Sequence, residues 1–218
     1  MKIRDCHQEI EGLTSLLIEE GIAESFNSPI VVNNGCITDV VFQNGKDISI
    51  ALKSLPYADI HAEMIKRKMF NFRFADDAFV QMSYRFETGG GLLKHRLAYY
   101  PSPTFEPYQN EPEIYEEDLI FADVIDKSVL PIPVRFDYDP DSFVEMSHPS
   151  SHLTFGMYKN CRIPVVSPLR PTYFMHFILS SFYRKRFDDM GRLLKFSNVA
   201  KPPHSATAKE KVVLHIAF

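Results

Sequence analysis

Two histidines in the run HPSSH, His148 and His152, could work together as a general acid and a general base. An unperturbed imidazole has a pKa of about 6.5, so near neutral pH one ring can accept a proton while another donates one. Just upstream, the Arg135 guanidinium could stabilise a developing negative charge, and the Asp137 carboxylate could orient an imidazole. These four candidate catalytic residues are typical of a metal-independent ribonuclease.

Lys159 and Arg162, which follow the histidines, are candidate substrate-binding residues because fixed positive charges favour a phosphate or an oxyanion. Purely structural roles stay open for the same region. A histidine beside a proline in a turn commonly bonds a backbone carbonyl, and Arg135 and Asp137 could form an ordinary cross-strand ion pair.

A third hypothesis is a metal site made of Asp137, His148 and His152, two imidazoles and one carboxylate. The HxxxH spacing matches zinc-binding helices, but Pro149 replaces the glutamate of HExxH and the local pattern is not helical. No Walker loop, dinucleotide-binding glycine set, nucleophile elbow or CxxC pair occurs. We therefore predict neither a metal nor a cofactor.

The segment RFDYD, residues 135–139, must position two of these side chains. Its period-two alternation predicts a half-buried strand that carries Arg135 and Asp137 on the same face. A second strand is predicted to start near His152, with HPSS as the turn that leads into it. The turn is essential, because in a straight strand His148 and His152 would lie about 13 Å apart at roughly 3.3 Å per residue.

The other elements predict an α+β fold in a single domain, residues 1–218, with an antiparallel sheet, an N-terminal helix and a buried C-terminal helix packed on it. In the clearest hairpin, a run of three glycines joins two strands. His95 is expected on the solvent face of the second strand, although it could also enter the same cleft as His148. The predicted helices are 3–22, 57–68 and 172–184, the last with Thr172 as N-cap, and the predicted strands include 79–87, 92–100 and a final strand, 211–218.

The composition indicates a globular protein with no membrane segment. A hydrophobic content of 45% is enough for a core. The net charge of −4 gives no overall attraction to nucleic acid, so we expect at most local binding of a few phosphates, with RNA as the candidate nucleic acid. There is no apolar run of about 18 residues and no apolar leader. Three widely spaced cysteines are typical of reduced thiols, so a cytoplasmic location is expected.

The run HPSSHL…CRIPVVSPLRPTYFMHFILSSFY, with RFDYD upstream, resembles an uncharacterised bacterial family of about this length, a domain of unknown function. The likeness covers most of the chain and is best over residues 135–183. The layout also resembles small bacterial toxin nucleases, which place an R-x-D strand before a turn with clustered histidines. Arg135, Asp137, His148 and His152 fall at the matching places, and this resemblance implies a compact antiparallel sheet flanked by helices, and RNA cleavage.

We therefore expect a metal-independent endoribonuclease of a bacterial toxin or phage-defence system. The alternative is a non-catalytic interaction or regulatory subunit of a bacterial complex. It is suggested by the acidic net charge and by residues 101–113, PSPTFEPYQNEPE, a proline-rich acidic segment that predicts a long surface loop. The aromatic side chains of this loop could dock a protein partner.

Overall fold

The computed structural model describes residues 1–43, 55–103, 132–156, 158, 160–194 and 202–218. Within these ranges the helices are α1 (Ile3–Glu19), α2 (Tyr57–Lys66), α3 (Pro171–Phe182) and α4 (Arg184–Met190), with short 3-10 turns at Pro140–Ser142 and Gly191–Leu193. The strands are β1 (Ala23–Phe26), β2 (Pro29–Asn34), β3 (Ile37–Phe42), β4 (Phe72–Phe74), β5 (Phe79–Glu87), β6 (Leu92–Tyr100), β7 (Val134–Tyr138), β8 (Ser151–Phe155) and β9 (Ile163–Pro164).

These strands form one antiparallel sheet in the order β1-β4-β5-β6-β7-β8-β9. The hairpin β2–β3 joins the same sheet because β3 also pairs with β5, next to the C-terminal half of that strand. The β5–β6 hairpin predicted from the triple glycine lies at the centre and pairs Phe79 with Tyr100 at its open end. This arrangement brings β7 and β8, which carry the candidate residues, next to β6.

Alternation along the central strands gives the sheet two faces. On the first face, Met82, Leu97, Phe136 and Leu153 are almost fully buried and pack against α1 and α3 in the main core. Helix α1 presents an apolar stripe at helical spacing to this core, since its buried residues include Cys6, Ile10, Leu13 and Leu17. Helix α3 is apolar on most of its surface and contributes Phe174, Met175, Ile178 and Leu179.

Among the described residues, a helix packs on only part of the second face of the sheet. Helix α2 packs Ile60 and Met64 against Phe79, Ala98 and Tyr100, which point away from the main core. Farther along the same strands, this face carries polar and charged side chains in place of apolar ones: Ser83, Arg85, Lys94, Arg96, Arg135, Asp137, His152 and Thr154. The candidate site lies on this uncovered half of the sheet.

The predicted fold class is confirmed: the structure is an α+β fold with an antiparallel sheet, an N-terminal helix and C-terminal helices packed on it. The prediction of a single domain over 1–218 stays a prediction. Most of the predicted loop 101–113 lies outside the described residues. Its beginning is anchored, because the Tyr57 hydroxyl donates to the Pro101 carbonyl (2.5 Å) and Ser102 is buried.

Two local predictions are wrong. Helix α3 begins one residue earlier than expected, with Arg170 as the N-cap and Pro171 in the first turn, so Thr172 is not the cap. The final segment is not a strand: within the described residues it makes one isolated bridge, Val165 with Ile216, and the side chain of Leu214 is 80% exposed. The alternating apolar pattern there has no adjacent strand long enough to pair with.

None of the helices in the described part of the chain is long and apolar enough to cross a lipid bilayer.

Candidate functional site

The uncovered half of the sheet forms the floor of a cleft of about 1040 Å³. One wall comes from the β2–β3 hairpin, through Val32 and Asn34. The opposite wall comes from the segments that flank β8, through His148, Tyr158 and Arg162. The cleft is therefore bounded by elements that are far apart in sequence, and the strand pairing of the sheet brings them together.

The cross-strand register sets a row of polar side chains across the floor. Ser83 pairs with Arg96, Arg96 with Asp137, and Asp137 with His152. Directly opposed residues in an antiparallel sheet lie on the same face, so all four side chains point into the cleft. The predicted alternation of RFDYD is confirmed, since Phe136 is 3% exposed and lies in the core on the other face.

Asp137 is the centre of this row. Its Oδ1 accepts a hydrogen bond from Arg96 Nε at 2.9 Å, and its Oδ2 accepts one from Arg135 Nε at 2.5 Å. Burial by itself would raise the pKa of Asp137, but the charges of Arg135 and Arg96 outweigh burial and hold the pKa below its ordinary value. The carboxylate is therefore ionised at neutral pH and fixes both guanidinium groups.

The two arginines keep donors for a ligand. Both use Nε to bind Asp137, and neither has another side-chain partner among the described residues. The side chains of Arg96 and Arg135 line the cleft and are 36% and 30% exposed, so a ligand in the cleft can contact both. Two positive charges share one negative charge, which leaves this group with a net charge of +1. Arg162, on the wall, makes no side-chain bond to any described residue and adds a further positive charge.

The bend before β8 brings the two histidine rings into contact, as the sequence requires for a common site. The ring centroids of His148 and His152 are 4.9 Å apart and the planes meet at 71°. Between the two histidines the backbone bends at Ser150. A turn over residues 145–147 holds His148 from the other side: the backbone N–H of His148 donates to the Val144 carbonyl at 2.7 Å, and Met146 adopts a φ of 68°.

His152 is held in one tautomer by the backbone. Its Nδ1 bonds the Pro149 carbonyl at 2.8 Å, and because a carbonyl only accepts, Nδ1 carries the proton. In the neutral ring, Nε2 therefore has its lone pair free, and it lies 3.9 Å from Asp137 Oδ2. Burial lowers the pKa of His152 below 6.5, and burial together with the nearby Arg162 lowers the pKa of His148.

The four predicted catalytic residues, Arg135, Asp137, His148 and His152, thus line one cleft, and the predicted binding residue Arg162 lines it too. Lys159 lies outside the described residues. The structural roles that the sequence left open also occur: His152 bonds a proline carbonyl, and Arg135 pairs with Asp137. That pair lies within one strand, however, and the cross-strand partner of Asp137 is Arg96.

Arg96 is a site residue that the sequence reasoning missed. The signal was the alternation in LLKHRL, which places Lys94 and Arg96 on the same face of β6. The expectation for His95 was wrong: this ring is 5% exposed on the main-core face, lies near the rings of Tyr84 and Tyr138, and its Nε2 accepts the backbone N–H of Leu169 at 3.0 Å.

The hypothesis of a two-histidine, one-carboxylate metal site gains no support from the geometry. The described residues contain no group of three or more His, Cys, Asp or Glu placed to hold a metal ion. Of the three side chains, His152 uses Nδ1 for a backbone carbonyl, and both oxygens of Asp137 bind arginine.

Comparison with protein families shows which family the chain matches. The family model described as "Uncharacterized conserved protein (DUF2290)" covers residues 22–218, in agreement with the expected domain-of-unknown-function family. Comparison with curated proteins and comparison with solved structures both gave no match.

Proposed function

Since this chain belongs to the DUF2290 family of uncharacterized conserved proteins, whose description gives no activity, we propose its function from the cleft: a metal-independent endoribonuclease. The observation that carries the proposal is the contact of the His148 and His152 rings, 4.9 Å between centroids, beside Asp137 and its two arginines. Two titratable rings next to accessible guanidinium groups are suited to proton transfer at a bound phosphodiester.

The reaction needs no external nucleophile. A base removes the proton of a ribose 2′-hydroxyl, and the 2′-oxygen attacks the adjacent phosphorus. The bond from phosphorus to the 5′-oxygen of the next nucleotide breaks, and an acid protonates that leaving oxygen. The products are a 2′,3′-cyclic phosphate and a free 5′-hydroxyl, and general acid–base catalysis of this kind contributes typically about 100- to 10,000-fold to the rate.

Arg96 and Arg135 suit the binding of the phosphate. The shared carboxylate of Asp137 holds both Nε atoms, so the terminal N–H groups are directed before a ligand arrives. Charge that develops on the non-bridging phosphate oxygens is stabilised best by donors that are already in place. Guanidinium–phosphate hydrogen bonds are charge-assisted and often bidentate, and Arg162 on the wall supplies a third guanidinium.

The environments of the two imidazoles support different roles for them. His148 is the more exposed ring, and burial together with Arg162 keeps its pKa below 6.5, so it is mainly neutral at pH 7 and acts as the base. His152 lies 3.9 Å from the Asp137 carboxylate, which favours the imidazolium although burial opposes it. A bound phosphate adds negative charge and raises the pKa of both rings. Because the Asp137 carboxylate also favours the charged form of His152, we assign His152 as the acid.

The positive charge of this protein is local to the cleft, because the chain as a whole has a net charge of −4. Such a protein binds a few phosphates in the cleft and does not bind along a whole nucleic acid. This pattern fits an enzyme that acts on single-stranded RNA in the cytoplasm. A toxin or phage-defence role follows from this proposal, since an unrestrained endoribonuclease in that compartment stops bacterial growth.

The test is cleavage of a labelled single-stranded RNA by purified protein in excess EDTA. The wild type should cleave and leave 2′,3′-cyclic phosphate ends. His148→Ala should lower the rate by about 100-fold or more. His152→Asn is the sharper variant, because the Asn amide can still donate to the Pro149 carbonyl while the Nε2 position is lost. His204→Ala, at an exposed histidine outside the cleft, is the matched control and should keep the wild-type rate.

Two results contradict the proposal. One is wild-type cleavage that stops in EDTA and returns with added metal. The other is the lack of any role for the two histidines in cleavage: either the wild type cleaves no RNA, or the His148 and His152 variants cleave at the wild-type rate. This result would favour the interaction-subunit alternative.

A further inference from the structure

We propose that the end of the cleft at Thr154 and Tyr158 is a nucleoside subsite, which binds the base of a single-stranded nucleotide next to the phosphate held by the arginines. The identity of the ligand rests on the proposed function. The subsite itself rests on a buried hydroxyl without a partner and on an exposed aromatic ring at the same cleft.

Thr154 has the position that a binding residue needs. It lies on β8 two residues after His152, points to the same face of the sheet, and pairs across the strands with Arg135. Its side chain lines the cleft and is only 5% exposed. A group bound between the histidines and Arg135 therefore lies next to Thr154.

The Thr154 hydroxyl has no hydrogen-bond partner in the part of the chain that the structure describes. Its Oγ1 is buried. Buried hydroxyls nearly always have a partner, and an unpaired one destabilises the fold. The strand does not require this hydroxyl, because valine has the same branched shape and suits a strand equally well. A bound ligand would explain the unpaired Thr154 hydroxyl, since a hydroxyl both donates and accepts hydrogen bonds and can pair with the edge of a base.

The exposed ring of Tyr158 is the second part of the proposed subsite. Its ring is 67% exposed although it lines the cleft, and it is therefore a large aromatic surface that the fold itself does not bury. The ring lies against the end of β8: its Cδ2 is 3.8 Å from the position that a Cβ at Gly156 would take. Unstacked bases of single-stranded RNA stack on such rings, which bind any base because every base has a π-face.

The size of the cleft is consistent with more than a phosphate. Its volume of about 1040 Å³ is at the upper end of the range for small-molecule sites, about 300–1,000 Å³. Thr154, Gly156 and Tyr158 line the cleft together with the arginines and histidines, so the total volume can hold a sugar and a base beside a phosphate.

The experiment measures binding without cleavage. The probe is a fluorescent single-stranded 2′-O-methyl RNA hexamer, which lacks the 2′-hydroxyl nucleophile, and the reference probe is an abasic oligomer with the same number of phosphates. Fluorescence anisotropy gives the affinity of each variant for both probes. Thr154→Val and Tyr158→Leu remove the hydroxyl and the ring, whereas Thr154→Ser and Tyr158→Phe are the matched controls that retain them.

Tyr158→Leu should weaken binding of the base-containing hexamer about tenfold, and Thr154→Val about fivefold. Binding of the abasic oligomer should not change, and both control variants should bind like the wild type. Thr154→Val should also unfold at the same or a higher temperature than the wild type, because it removes an unpaired buried hydroxyl.

The proposal is overturned if the wild type binds neither probe, if it binds both equally, or if the variants weaken both probes to the same degree. If the wild type prefers the base-containing hexamer but cleaves no natural RNA, the subsite proposal is supported and the nuclease proposal is contradicted. The two proposals can therefore fail separately.

Discussion

Acidification should destabilise this fold through one buried side chain, His95. The ring lies on the main-core face of β6 near Tyr84 and Tyr138, and its Nε2 accepts the N–H of Leu169, so the ring is neutral in the folded protein. Its Nδ1 is buried and has no partner in the part of the chain that the structure describes. A proton added to this ring would place an unsolvated charge in the core.

The size of the effect follows from the pKa. Burial lowers the pKa of His95 from 6.5 to about 4, although the charge of Asp137 opposes this shift. The unfolded chain takes up a proton at this histidine below about pH 6.5, and the folded chain only below about pH 4. The stability due to the neutral ring is therefore complete above pH 6.5 and is lost as the pH falls to about 4. At about 1.4 kcal/mol per pKa unit, the loss approaches about 3 kcal/mol.

Urea unfolding at pH 7.5, 6.5, 5.5 and 4.5 measures this loss. The matched variant is His95→Gln, whose amide oxygen can accept the Leu169 N–H but does not titrate. Other titrating groups are shared by both proteins, so their contributions cancel in the comparison. Between pH 7.5 and 4.5 the wild type should lose about 2–3 kcal/mol more than the variant. Parallel stability curves for the two proteins would refute this account of His95.

Three further predictions concern the free energy of unfolding, each measured in urea at pH 7. Asp137→Asn removes the charge that two arginines share, and because those arginines are partly exposed the loss should be about 2–3 kcal/mol, below that of a fully buried pair. Glu9→Ala leaves the Arg170 side chain, which is 2% exposed, without its carboxylate partner and should lower the free energy of unfolding by about 3–5 kcal/mol. Glu24→Ala breaks an exposed ion pair and should lower it by at most about 1 kcal/mol. Gly21→Ala forces a side chain into a φ of 64° and should cost about 1–2 kcal/mol.

The sequence predicted elements whose signals are local. The β5–β6 hairpin was found from two alternating runs around three glycines, and α1 from a helical apolar stripe that ends near Gly21. The strand β7 was found from RFDYD, and β8 from the alternation that starts near His152. In each case the residues that determine the structure lie in one continuous segment of the chain, so a periodic pattern suffices. HPSS was predicted as the turn before β8, but the assigned turn lies at residues 145–147 and the backbone only bends at Ser150.

The features that were missed depend on partners far apart in sequence. Arg96 bonds Asp137 across 41 positions, and only the β6–β7 register reveals this. His95 was placed on the wrong face because alternation separates two faces without saying which one the helices cover. Residues 211–218 have the pattern of a strand but pair only through the bridge at Ile216, because β9 has only two residues and one of them is Pro164.

The most direct measurement of the central claim is the pH dependence of single-turnover RNA cleavage, in EDTA, for the wild type, His148→Ala and His152→Asn. If the two rings act as base and acid, the wild type gives a bell-shaped profile, the His148 variant loses the acidic limb, and the His152 variant loses the alkaline limb. If both variants keep measurable activity with the same bell-shaped pH profile as the wild type, neither ring transfers a proton, and the account is contradicted.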